Sequence, residues 1–138
     1  MANTYIELDP ENLSGFEDLP RDEPFQMLNL LRFREWAQYP DGHEHVQRGW
    51  TGREAYEEYS RAIASTFVAS GAEVVWQASF QSTVVGAENE TWDAMIVVEY
   101  PNADAFLAMI SDPKHHAGSI NRTAALADWR LYRATPVA

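Results

Sequence analysis

The 138-residue chain carries 10 Lys and Arg against 21 Asp and Glu, a formal charge of −11, yet 46% of it is hydrophobic and 12% aromatic. That apolar content excludes a disordered chain, and the length suits one domain able to bury a core without metal or disulfide staples. The acidic balance lacks the clustered positive charge that nucleic acid or an anionic membrane surface demands, and zero Cys excludes disulfides, thiolate nucleophiles and thiolate metal sites.

Residues 1–24 hold seven acidic side chains and one basic one, Arg21, and read as an acidic leader packing on a single domain formed by residues 25–138. No signal sequence or membrane-spanning run is evident, so a cytoplasmic location is the expectation. Asp9-Pro10-Glu11 is an N-cap with proline at the first helical position, and Leu13, Phe16 and Leu19 give that short helix an apolar edge. Residues 25–34 are β-rich and apolar on both faces, as in a central strand covered on each side. The stretch 35–52, with Pro40, Gly42 and Gly49, is a long loop of the kind that often carries function.

Thr51-Gly52-Arg53-Glu54 matches the capping box, so a helix starts there. Tyr56, Tyr59, Ile63, Phe67 and Ser70 share one of its faces, and Gly71 is placed to end it. Residues 73–85 and 92–100 are predicted as a hairpin around a turn at 86–90. Pro101-Asn102 then caps a short helix that buries Ala103, Phe106, Leu107 and Ile110. Asp112-Pro113 starts another, with Ala117, Ile120, Ala124 and Ala127 predicted on the buried face, before a last strand at 129–133.

The order βαββαβ predicts an α+β, ferredoxin-like domain: a four-stranded antiparallel sheet with its helices on one face. Large apolar side chains expected on the other face need cover, since exposing each forfeits about 1.5–3 kcal/mol. A second copy supplies that cover, so a homodimer through the helix-free sheet face is expected.

Glu99-Tyr100-Pro101-Asn102, with Ala105, Asp112-Pro113, Arg122, Ala125, Asp128 and Leu131, resembles the domain-of-unknown-function 1330 family of the dimeric α+β barrel superfamily, over residues 25–134. The resemblance implies a ferredoxin-like subunit pairing sheet to sheet, in a family whose members mostly lack a known reaction. Superfamily relatives include cofactor-free monooxygenases, isomerases, haem-handling enzymes and ligand-sensing domains, so fold alone does not choose among them. The family often has Tyr where this chain has His115, and its shorter members lack the leader.

His115, Ser119 and Arg122 stand at i, i+4 and i+7 of one helix, with Gly118 leaving room beside them. An imidazole titrating near neutrality plus a guanidinium fork could protonate and hold a carbonyl or anionic substrate, whereas the plainer reading is a solvated or bracing face. Asn29, Gln77, Asp93 and Glu99 put polar groups on apolar strands, and Trp76 and Trp92 could wall a pocket with flat apolar surface. Tyr56 and Tyr59 could turn hydroxyls into the same space, and Arg32 is an alternative anion clamp; ordinary core and interface packing accounts for the same residues. His43-Glu44-His45 could offer two imidazoles and a carboxylate to a metal, but no third ligand spacing supports it and no metal is assigned.

No phosphate-binding glycine loop and no nucleophile elbow is present, which disfavours nucleotide-binding and hydrolase readings. Two functions are carried forward. One is an enzyme without a bound cofactor, monooxygenase-like or isomerase-like, with His115 as acid/base and Arg122 as clamp on a small organic substrate. The other is a non-catalytic ligand-binding or structural homodimer.

Overall fold

The computed structural model describes residues 3–137. Helix α1 (Pro10–Ser14) is followed by a 3-10 turn over Gly15–Asp18, then strand β1 (Phe25–Phe33), helices α2 (Gly52–Ala62) and α3 (Ala64–Ala69), and strands β2 (Glu73–Ser79) and β3 (Ala94–Tyr100). Helices α4 (Ala103–Ser111) and α5 (Pro113–Ala125) lead into strand β4 (Leu126–Ala134). The sheet runs β2-β3-β1-β4, antiparallel throughout. This is the ferredoxin-like α+β fold expected from the element order. No helix among the described residues is long and apolar enough to cross a membrane.

The caps form where the sequence places them. Asp9 accepts from the Glu11 amide (2.9 Å), Asn102 from Ala105 (2.8 Å) and Asp112 from Lys114 (2.8 Å), while Thr51 and Glu54 close the reciprocal capping box of α2.

Strand register sorts the sheet into two faces, because side chains alternate along each strand. Phe25, Met27, Asn29 and Leu31 point toward the helices, beside Tyr100, Val98, Ile96 and Ala94 of β3 and Leu131 and Trp129 of β4. That face carries two apolar clusters. One joins Phe25, Met27, Val98 and Tyr100 to Phe106 and Met109 of α4 and to Phe16 of the leader; the other centres on Leu31, Leu126 and Trp129. The opposite face carries Gln26, Leu28, Leu30 and Arg32 of β1, Met95, Val97 and Glu99 of β3, Trp76 of β2, and Asp128, Arg130 and Tyr132 of β4. Trp76 is 49% and Tyr132 51% exposed there. The outer strand β2 changes register between Val74 and Trp76 through a bulge, and six of its seven residues are exposed.

Three expectations shift. The single helix over 51–71 is two, divided at Ile63, whose carbonyl accepts both the Phe67 amide (2.9 Å) and the Thr66 hydroxyl (2.9 Å). The hairpin arms stop early, at Ser79 and Ala94, because Asp93 turns to β1: its amide donates to the Leu31 carbonyl (2.7 Å) and its carboxylate accepts from Phe33 (2.8 Å).

The third shift concerns α5. It buries His115, Gly118, Asn121, Arg122, Ala124 and Ala125, whereas Ala117 is exposed and Ala127 already lies in β4. Gly118 sets that rotation. A Cβ there would meet Ile63 Cγ2 at 3.0 Å and Ala62 Cβ at 3.1 Å, so α5 docks on α2 through its smallest residue and carries its polar neighbours inward.

Candidate functional site

The capping box at Thr51 starts α2 so that Arg53, Tyr56, Glu57 and Ser60 share the face turned to the sheet at i, i+3, i+4 and i+7. Opposite them lie Leu31 and Phe33 of β1, Gln77 and Ser79 of β2, and Ala94 and Ile96 of β3, and the two sides line an open cavity of about 410 Å³. The Arg53 guanidinium lies 4.8 Å from the Phe33 ring centroid, and the Tyr56 ring packs on Phe33 at 5.5 Å. The lining mixes apolar side chains with the polar Arg53, Glu57, Ser60, Gln77 and Ser79. Burial, and then the neighbouring Tyr59, push the Tyr56 phenol far up, so it is a neutral hydrogen-bonding group.

Tyr56 packs on Tyr59 (5.2 Å between centroids), and Tyr59 leads to the polar face of α5, with the His115 ring at 6.1 Å and the Arg122 guanidinium at 5.5 Å. Arg122 lies 4.8 Å from the Trp129 ring on its other neighbour, and the Trp129 indole N–H donates to Asn29 Oδ1 (3.1 Å). Burial raises the Tyr59 phenol, and the charge and hydrogen bond of Arg122 only partly oppose that.

His115 is 3% exposed, and burial followed by the adjacent Arg122 charge lowers its imidazole to about 4, against a smaller upward pull from Asp112. The expected imidazole titrating near neutrality is corrected accordingly: at neutral pH this ring is uncharged. His115 Nδ1 and Arg122 Nε are both buried and have no hydrogen-bond partner among the described residues.

Arg32, Trp76 and Glu99 lie on the helix-free face, and Trp92 lies against Arg32 there. Arg32 donates to Asp128 Oδ2 (2.8 Å), and both Arg32 and Arg130 lie over the Trp92 ring at 5.6 and 5.3 Å. Asp128 also accepts from the Tyr5 and Trp129 amides (2.9 and 3.0 Å) and from Arg130 (2.6 Å). Burial alone would raise its carboxyl, but those hydrogen bonds outweigh it and hold the group below the usual range. Glu99 accepts from Gln26 (3.3 Å) across the strands, and Trp76 stands half-exposed near the free edge. The structure therefore gathers Asn29, Tyr56, Tyr59, His115 and Arg122 between helices and sheet, and sets Arg32, Trp76, Trp92 and Glu99 apart from them.

Ser119 does not join the cluster; its hydroxyl donates to the His116 carbonyl (2.7 Å). In the long loop, Tyr39 stacks on His43 (4.9 Å) and donates to Asn121 Oδ1 (2.6 Å), which also lies 3.3 Å from His45 Nδ1. No group of three His, Cys, Asp or Glu side chains is arranged to hold a metal among the described residues. Arg53, Phe33 and Trp129 join these groups with no functional motif that marks them in the sequence. Arg53 was findable from the capping box, which fixes its helical phase, whereas Trp129 depends on strand register.

The family model for a domain of unknown function, DUF1330, matches residues 46–132. The chain belongs to the DUF1330 family. A crystal structure of a protein of unknown function from Rhodopseudomonas palustris is 37% identical, with TM-score 0.88 and 99% of each chain covered. A crystal structure of that same protein in methylated form matches at 36% identity and TM-score 0.89, over 99% of this chain and 98% of that one. A dimeric ferredoxin-like protein of unknown function from Thermobifida fusca matches at 18% identity and TM-score 0.46, over 86% and 96% of the two chains. No curated protein matches the chain.

In this DUF1330 chain several of the positions that carry the resemblance have architectural work. Asn102 and Asp112 cap helices, Pro113 opens α5, Ala125 is fully buried, and Asp128 ties β1, β4 and the leader together. Arg122 is the position whose burial without full hydrogen bonding architecture alone does not explain.

Proposed function

We propose that this DUF1330 protein is a cytoplasmic homodimer that binds a small, partly aromatic organic molecule in the cavity between α2 and the sheet. The observation that carries the reading is the lining of that cavity, with Phe33 and Tyr56 offering ring faces and Arg53 a guanidinium at its edge. Behind Tyr56, the half-buried Tyr59 and Asn29 and the buried His115 and Arg122 form a polar second layer. Binding is favoured over acid catalysis by His115, because a ring lowered to about 4 is neutral at neutral pH, and a neutral imidazole is a weak acid.

Benzoate and benzyl alcohol are suitable probes. Amide shift changes on titrating either should map to α2 and to β2 and β3 around Ala94. Arg53→Ala should weaken benzoate about tenfold, about 1.4 kcal/mol, with little effect on the alcohol. Ala94→Phe should abolish both. Shifts that map away from these elements would reject the site.

A further inference from the structure

We infer that Arg122 and Thr123 form a carboxylate-binding site whose tethered occupant is the chain's own Glu7, so that a small external monocarboxylate binds there by displacing the leader. The Arg122 side chain is 6% exposed, yet its one carboxylate partner among the described residues is Glu7, with Oε2 at 3.5 Å from Nη2. Glu7 Oε1 accepts from the Thr123 hydroxyl at 2.5 Å, so one carboxylate bridges two consecutive residues of α5. Tyr59 and Trp129 lie against the guanidinium, and Nε is buried without a partner. A planar fork left with an unused N–H and a neighbouring hydroxyl donor matches the two oxygens of a single carboxylate.

Glu7 itself is 57% exposed, so its carboxylate meets solvent at the mouth of the site. The leader is held on either side of it. The Tyr5 amide donates to Asp128 and the Tyr5 ring lies 4.8 Å from the Arg130 guanidinium, while Ile6 and Leu8 pack on the Leu31, Leu126 and Trp129 cluster. An occupant tethered in this way has a high effective concentration, which makes it a competitor that an external ligand must overcome. The inference does not depend on the cavity under α2, whose lining includes neither Arg122, Thr123 nor Glu7.

The test uses acetate as probe against chloride at matched ionic strength, with full-length protein. Thermal midpoints should rise with acetate in Glu7→Ala, at concentrations about tenfold lower than in wild type, and the response should disappear in Glu7→Ala/Thr123→Val. In wild type, acetate should speed amide hydrogen exchange over residues 4–9. Equal effects of acetate and chloride on Glu7→Ala, or an undiminished response in the double variant, would overturn the inference. Should Glu7→Ala fail to fold, Glu7→Gln keeps the shape and removes the charge, and wild-type exchange unchanged by acetate overturns the inference independently.

Discussion

At the scale of single residues, His115 combines a buried ring with a neighbouring positive charge, and both keep it neutral. Its folded value, about 4, lies below the ordinary 6.5, so the unfolded chain binds the proton first. Stability is therefore full above pH 6.5 and falls as pH drops from there toward 4, with a slope of at most about 1.4 kcal/mol per pH unit. His115→Gln should flatten that part of the stability curve in urea titrations run at successive pH values. A variant that keeps the wild-type slope would show that another group supplies it.

Asp128 adds a separate, more acidic step. Its carboxyl is depressed, so its contribution persists above the unfolded value of 3.8 and disappears as pH falls through the lower folded value. Asp128→Asn should remove that step and loosen residue 5, seen as faster exchange of the Tyr5 amide that now donates to the carboxylate.

Among elements, the packing of α5 on α2 decides what reaches the interior. Gly118→Val should lower stability by about 1–3 kcal/mol, read as a shifted denaturant midpoint, because Ile63 and Ala62 leave no room for branched carbons. The same contact explains what the sequence did and did not disclose. Capping residues act within three or four positions of themselves, so the starts of α1, α2, α4 and α5 were legible at Asp9, Thr51, Asn102 and Asp112.

The buried face of α5 is not legible from apolar periodicity, because Ala117 and Ile120 outrank His115 and Arg122 in hydropathy, whereas close helix approach is set by Gly118. The division at Ile63 leaves no mark in the apolar periodicity. For the candidate site, spacing on one helix correctly joined His115 to Arg122 and Tyr56 to Tyr59. Strand alternation and register send Arg32, Trp76 and Glu99 to the opposite side, where Trp92, outside the strands, lies against Arg32, and register is a long-range property.

For the molecule as a whole, the helix-free face presents Leu28, Leu30, Met95 and Val97 in its centre. Pairing with a second copy would remove these from water at about 25 cal/mol per Å² of apolar area. Val97→Arg puts a charge into that centre, and the expected outcome is a single-copy particle in sedimentation at micromolar concentration with unchanged far-ultraviolet dichroism. Wild type and variant sedimenting alike as single copies would reject the sheet-to-sheet dimer.

The bulge between Val74 and Trp76 has its own bearing on assembly. Straight boundary strands invite neighbours to add on indefinitely, and β2 offers unprotected backbone along with valines and a tryptophan. An extra residue there throws the outward amides and carbonyls out of step, so a stranger's strand finds no continuous ladder to join. Addition at the rim is thereby disfavoured, and the proposed pairing through the broad surface would close after two members instead of propagating into a fibre.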